Sequence, residues 1–484
     1  MRKMPTTKRE QITKHFGTWY RKVLIDAGVA DYRYPIKGCG VWMPYGFAIR
    51  KHGLQILRDL HDATGHQEAQ FPLLVPETSL EKEAAHVKSF EEECFWITHG
   101  GLKPLDVKLA LRPTSETVIT PMLKLWIRSH KDLPLKLYQI VNVFRYETKT
   151  TRPLIRVREI STFKEAHTSH ATFEDSEVQI KEATGIYKAF FDALDVPYVI
   201  SRRPEWDKFA GALYSDGFDT VLPDGRTLQI GTVHNLGQNF AKAFDVTYEA
   251  EGGKREHIWQ TCYGISERWL AAVLGVHGDD NGAILPPNIA PIQAIIIPIF
   301  HKEKNETITE ACAKLAEKLE KEAHMRVKAD LRDELTPGSK FFDWELKGVP
   351  IRIEIGPRDM EQNAVMVVRR DNFEKASVKQ EALADYLHEV MKKMSKDMRE
   401  KASKWLREHV HSAKTLDEVK TLLKKRAGIV EVPWCGETDC GLKMEQEING
   451  KMLGVPMDMK EEVSGTCIVC GKEAKDIVRV AVAY

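Results

Sequence analysis

Three groups of residues carry side chains whose types and spacing could do chemistry. The first is Phe144-Arg145-Tyr146-Glu147, followed after a polar stretch by Arg156-Val157-Arg158-Glu159. On an extended strand residues two apart share a face, so Arg145 and Glu147 would point the same way. A guanidinium there can fork onto a carboxylate or phosphate, and a glutamate beside it can hold an amine or a metal. A surface cross-strand ion pair, worth little energetically, has the same pattern. The second group is Cys435-x4-Cys440 with Cys467-x2-Cys470, two close thiol pairs on short glycine-bearing loops. Four such thiolates suit a tetrahedral zinc ion with no open position, and hence a structural one. Two disulfides, which a cytosolic setting disfavours, or four unrelated thiols are the other readings. The remaining cysteines, Cys39, Cys94, Cys262 and Cys312, are scattered and read as small buried hydrophobes. The third group is Gln229-x2-Thr232-x-His234, where Thr232 and His234 would share a strand face; a satisfied structural histidine is the ordinary alternative.

Elements must position these groups, and the chain is long enough to build several domains: 484 residues, 43% hydrophobic and 29% charged. The longest strongly apolar run, 294–300, is far short of the ~20 residues that span a bilayer. The opening MRKMPTTKREQ has no apolar core, so a cytoplasmic protein without membrane contact is expected. Net charge is +1, which neither announces nor excludes a nucleic-acid partner; runs such as Lys392-Lys393 and Lys424-Lys425-Arg426 read first as solvated helix faces. Residues 8–30 and 46–64 have helical spacing, the latter followed by an extended FPLLVPE. Thr114 precedes a helical pattern with Ser115 and Glu116 in its first turn. Residues 137–147 and 154–163 alternate as strands, and Asp224-Gly225 marks a hairpin between two more. The expectation is a large antiparallel sheet flanked by helices. After a proline-rich LPPNIAP, apolar strands alternate with charged helices, which implies an α/β unit.

Phe-Arg-x-Glu, loop, Arg resembles motif 2 of the class II aminoacyl-tRNA synthetases, and Gly264-Ile265-Ser266-Glu267-Arg268 resembles their motif 3. Residues 46–77, a long helix and then a strand with Pro76, resemble motif 1, the dimer-forming element. The three occur in the family's order. The resemblance implies that Arg145 grips the α-phosphate, that Arg268 lies against ATP, and that Arg145, Glu147 and Arg268 form the catalytic set. Arg112-Pro113-Thr114-Ser115-Glu116 is similar to the TxE loop of the prolyl members, which contacts the imino group. By the same likeness Arg145, Glu147, Arg156, Gln229, Thr232 and Arg268 would face ATP with Mg2+. Thr114, Glu116, Arg145, Phe163, Glu165, His167 and His234 would form the pocket for L-proline. That suits the amino acid: Glu116 and Thr114 accept from a secondary ammonium, Arg145 holds a carboxylate, and Phe163 covers an apolar ring. Size alone rejects smaller amino acids weakly, so some activation of alanine or cysteine is expected.

Two departures stand out. Where the family commonly has an aromatic residue under adenine, the chain has Ile160. Only residues 168–263 separate His167 from Gly264, which leaves no room for a bacterial-type editing insertion. The cysteine quartet resembles the C-terminal zinc domain of archaeal/eukaryote-like prolyl enzymes, a group that ends, as here at Tyr484, in a tyrosine whose carboxylate approaches the active site. The α/β unit resembles the class IIa anticodon-binding domain, with Lys340, Phe341 and Glu345, beside Lys347, as the side chains to stack on and read anticodon bases.

The sequence therefore predicts an α/β multidomain chain. A class II synthetase antiparallel sheet flanked by helices occupies 1–284, with motif 1 at 46–77, motif 2 at 137–167 and motif 3 at 262–275. An α/β anticodon-binding domain covers 285–395, and a linker helix and small C-terminal α+β zinc domain cover 396–484. The expected activity is proline activation and transfer to tRNA(Pro) by a homodimer. The rivals are a threonyl or glycyl relative and a non-catalytic synthetase-like RNA-binding dimer. Retention of Arg145, Arg156 and Arg268 argues against the latter.

Overall fold

The computed structural model describes residues 8–83, 90–300, 306–458 and 463–484; most of the opening segment read above, 1–7, lies outside them. Its centre is an antiparallel array of six strands: β1 Leu135–Phe144, β2 Glu159–His170, β3 Val199–Arg202, β4 Tyr214–Val221, β5 Thr227–Gly237 and β6 Trp259–Ser266. Their spatial order is β3-β4-β5-β6-β2-β1, with the short strand Gln67–Glu68 parallel to β1 at the edge. Gly225, at φ +75°, closes the β4–β5 hairpin at the Asp-Gly pair. Between β2 and β6 the chain holds β3–β5, the helix Phe173–Ala193 and short elements and loops, with no inserted domain.

One face of the sheet is buried by helices. In Phe173–Ala193 the residues Ile180, Ala183, Tyr187, Phe190 and Phe191 recur at helical spacing and are buried. They meet Arg268–His277, buried at all but its first position, and Trp269 packs on Gly53 of the helix Pro44–Asp62. The other face is left open for the site.

Two strand boundaries differ from the sequence reading. β1 ends at Phe144, before Arg145, and β2 begins at Glu159 instead of Leu154. Leu154 adopts φ +55° and Arg152 bridges Arg156, so 145–158 is a folded loop that strand alternation does not govern.

The α/β unit has a mixed five-stranded sheet, Val327–Ala329, Ala294–Pro298, Ile351–Ile355, Ala364–Arg369 and Lys375–Lys379 in spatial order, covered by Glu306–Ala323 and Pro337–Leu346. It is tied to the core by a buried two-pronged pair, Arg370 to Asp279 at 2.7 and 2.8 Å. The cysteine-bearing segment does not form a separate sheet. Its strand Lys451–Pro456 pairs with β3, so four C-terminal strands extend the central sheet to eleven. Buried Arg479 reinforces the seam, donating to Glu431, Asp458 and the Ile200 carbonyl. No helix among the described residues is long and apolar enough to cross a membrane.

Candidate active site

Register across the open face of the sheet assembles the site in rows. One row runs His167, Cys262, His234, Ser215, and the next runs Gln139, Glu165, Gly264, Thr232, Gly217. Side chains opposite one another share a face, so the second row sets two glycines where larger residues would fill the space. A Cβ on Gly264 would sit 2.9 Å from the Phe163 ring, and one on Gly217 would strike Arg203. Above this floor lies a cavity of about 290 Å³. Gln229 and Thr232, three residues apart, both line it. Strict alternation would separate them, but the β4–β5 register skips Ile230, and that bulge restores a shared face.

Acidic groups converge at one end. Thr114 Oγ1 donates to Glu116, and both residues line the cavity. Glu165 accepts from Ser115 and from Gln139 at 2.9 Å, and lies 3.5 Å from His167 Nε2. Burial works against ionisation of Glu165, yet its bonds to His167 and Ser115 more than offset this and hold the carboxyl below its ordinary value. His167 is correspondingly raised: burial opposes its protonation, and Glu165 and Glu116 overcome it. His167 does not line the cavity. It stands behind Glu165 and Cys262, with polar atoms of Glu116, His167 and Cys262 within 4.8 Å of one another. His234 does line it; burial, then the charges of His167 and Arg203, bring it down to about 3, so its ring is neutral near pH 7. It shares a 2.7 Å hydrogen bond with Ser215 and lies 5.0 Å from the Phe209 ring centroid.

Guanidinium groups converge at the other end. Arg145 and Glu147 reach the cavity from the loop past β1, where Arg145 N–H donates to the Arg158 carbonyl at 2.9 Å. Arg145 Nε donates to the Pro113 carbonyl, linking this loop to the Thr114 segment. Arg156 lies 3.8 Å from Glu147. Arg268, at the first position of its helix, donates Nε to the Ile155 carbonyl at 2.7 Å. Burial, joined by repulsion from Arg145 and Arg156, pulls Arg268 down to about 10. Cations held together at such a cost in a concave site are ready for an anionic ligand. Ile160 and Phe163 supply apolar walls.

Of the residues the sequence singled out, Thr114, Glu116, Arg145, Glu147, Arg156, Phe163, Glu165, Gln229, Thr232, His234 and Arg268 share this one cavity. Several lining residues had no role in the sequence reading, Arg203, Phe209, Cys262 and Glu267 among them. Arg203, paired with Asp219 at 2.7 Å, and Phe209 come from the loop after β3, which has no periodic pattern. Cys262, read as a buried hydrophobe, faces the cavity from β6, and its place two residues before Gly264 was the available signal. Glu267 accepts from the Ser161 hydroxyl and Thr162 N–H at 3.0 Å, and burial pushes its carboxyl up to about 7.

The four cysteines of the C-terminal segment fit a metal. Cys435, Cys440, Cys467 and Cys470 bring their sulfurs within 4.8 Å of one another and none is in a disulfide. Two close pairs of thiols with no carboxylate or open position match a structural zinc site. The anticodon candidates lie on the helix Pro337–Leu346. Lys340 is buried and donates to the Asp330 carbonyl at 2.9 Å; Phe341 stacks under Arg352 at 3.9 Å, and Glu345 pairs with that same arginine. Lys340 and Glu345 thus have polar partners within the domain, and the adjacent Phe342 is 58% exposed.

Comparison with known proteins agrees with this layout. The model of the family "tRNA synthetase class II core domain (G, H, P, S and T)" matches residues 95–277, that of "Anticodon binding domain" 293–390, and that of "Prolyl-tRNA synthetase, C-terminal" 416–484. The proline–tRNA ligase of Pyrococcus abyssi is 53% identical over 480 residues, 99% of this chain and 100% of that protein. That of Methanosarcina mazei is 52% identical over 469 residues, 97% of each. Among solved structures, Giardia lamblia prolyl-tRNA synthetase in complex with prolyl-adenylate is 35% identical, with a TM-score of 0.94 over 99% of this chain and 100% of that one.

Proposed function

The chain belongs to the prolyl-tRNA synthetase family, of the archaeal and eukaryotic type, and on that premise we propose how its residues divide the work. It activates L-proline with ATP to prolyl-adenylate and transfers the prolyl group to tRNA(Pro). In the first step a carboxylate oxygen of proline attacks the α-phosphorus in line and pyrophosphate leaves. In the second a hydroxyl of the terminal ribose of the tRNA attacks the prolyl carbonyl and AMP leaves. Neither step needs a covalent enzyme intermediate, so the chain's task is positioning and charge stabilisation.

One observation carries the residue roles: a single cavity lined by Thr114, Glu116 and Glu165 together with the guanidinium groups of Arg145, Arg156, Arg203 and Arg268. Glu116 and Thr114 receive the secondary ammonium, with Glu165 beside them held by His167. Phe163 and neutral His234 enclose the ring. Arg145, joined to the Thr114 segment through the Pro113 carbonyl, holds the carboxylate against the α-phosphate. Arg156 and Arg268 neutralise the remaining phosphates, Gln229 and Thr232 orient the nucleotide, and Ile160 forms an aliphatic wall for adenine. Glu147, on the cavity lining, would hold the Mg2+ of the nucleotide, which would neutralise phosphate charge.

The domain limits are 1–284 for catalysis, 285–395 for the anticodon and 396–484 for the linker helix and zinc module. Within the second, helix Pro337–Leu346 meets the anticodon bases, its Phe341 and Glu345 set by Arg352. A cytoplasmic homodimer fits the 46–77 region, where Phe47, Leu73 and Leu74 are exposed beside the sheet-edge strand Gln67–Glu68. Sedimentation of Phe47→Asp should show loss of dimer; a monomeric parent chain would remove the proposal.

The central test is ATP–pyrophosphate exchange with each of the twenty amino acids. Proline should support it, and Arg145→Ala should lower kcat about 10²–10³-fold, as loss of one transition-state donor does. Unchanged exchange in the variant would discard Arg145's role.

A further inference from the structure

A second, larger concavity of about 830 Å³ lies beside the catalytic cavity, and Ile155 lines both. Its walls come from parts of the chain remote in sequence: the N-terminal helices, the loop 150–153, the β4–β5 hairpin, the end of the long helix Leu383–Glu408, and residues 424–426. Lys14, Arg21, Arg152, Arg226, Lys424, Lys425 and Arg426 line it against one carboxylate, Asp224. That carboxylate is already engaged, accepting from the Tyr484 hydroxyl at 2.7 Å and lying 3.5 Å from Arg226 and 3.7 Å from Arg426. In a chain whose formal net charge is only +1, this is a strong local excess of cations. Trp405 and His409, stacked at 3.7 Å, give the same groove an aromatic face.

We propose that this groove carries the phosphate backbone of the acceptor arm of tRNA and delivers its 3′ end past Ile155 to the adenylate. The inference rests on the activity proposed above. Three observations favour RNA as the occupant. The lining cations match a polyanion, the Trp405–His409 pair gives an aromatic face of the kind on which unpaired bases stack, and Ile155 borders both the groove and the cavity where the ribose hydroxyl must react. Arg152 lies 4.8 Å and Arg226 5.0 Å from the Tyr484 ring centroid, which fixes both guanidinium groups at the junction of the groove and the loop that carries Arg156. The Lys424-Lys425-Arg426 run, ordinary by itself, acquires a partner through this placement.

The test is the full-length zinc-loaded protein carrying Arg21→Ala, Lys424→Ala and Lys425→Ala. Arg426 is left in place because its φ of +56° makes substitution there a backbone perturbation. Adenylate formation uses no RNA, so proline-dependent exchange should stay within about twofold of the parent, while kcat/KM for tRNA in aminoacylation falls at least tenfold. The slope of log KM for tRNA against log salt should fall by about 2–3, one phosphate for each cation removed. A minihelix of the acceptor arm alone should show the same loss. Unchanged aminoacylation with intact exchange would overturn the groove's role and leave the activity standing, as would a loss seen with whole tRNA but absent with the minihelix. Absence of proline-dependent exchange in the parent would instead refute the activity. Should the triple variant fold poorly, Lys425→Glu provides the same readings.

Discussion

Glu165 and His167 shape the amino-acid end of the cavity through charge, and the signs of their shifts yield a pH test. Glu165 is lowered, so its stabilising contribution is present above the ordinary carboxyl value and lost as pH falls through the lowered one. His167 is raised from 6.5, so its contribution is full below that value and lost as pH rises through the raised one. The stability advantage of the parent over His167→Gln in denaturant melts should therefore shrink as pH rises above the ordinary histidine value of 6.5. An advantage that stays flat over this range would dispose of the ion pair. The sequence suggested His167 as a pocket residue; its place behind Glu165 and Cys262, off the cavity lining, comes from the packed sheet. Lys340 makes the same point: its type suggested RNA contact, and only the packed domain shows that its ammonium donates to the Asp330 carbonyl.

Strand register does the positioning at the scale of elements. The segment read as a strand through Glu147 stops at Phe144, and Arg145 arrives from a loop held by the Arg158 carbonyl. Alternation predicted a shared direction for Arg145 and Glu147; the folded loop achieves a shared cavity by other means. Gly264 is the sharper test of the sheet's role. Its strand would accept alanine in backbone terms, but the new Cβ would press on the Phe163 ring at 2.9 Å from the cavity floor. Gly264→Ala should raise KM for proline at least fivefold, a cost of about 1 kcal/mol of the size typical for mild overpacking. Thermal stability should change little. A KM equal to that of the parent would show that Phe163 yields freely and does not define the pocket.

The zinc module and the catalytic sheet are one structure at the scale of the whole molecule. Val455 and Pro456 pair with Arg202 and Ser201, and Arg203, which lines the cavity, donates to the Leu453 carbonyl at 2.7 Å. Loss of the metal should thus be felt at the active site. Removal of zinc by a chelator, or Cys467→Ser, should lower Tm by several degrees and reduce proline-dependent exchange in parallel, with one cooperative transition. Full exchange after complete zinc release would show that the seam does not transmit the loss.

The amino-acid sequence by itself determined the chemistry on offer and the order in which it appears. Arg145, Glu116, His234 and the cysteine quartet, the amphipathic helices and the Asp224-Gly225 turn are all properties of side-chain type and local period. Tertiary structure alone decided which of these groups meet. The extension of the catalytic sheet by C-terminal strands, the recruitment of Arg203, Phe209, Cys262 and Glu267, and the gathering of cations around Ile155 join residues up to several hundred positions apart. Local pattern carries no record of such contacts, because they are fixed by strand pairing and burial only once the whole chain has packed.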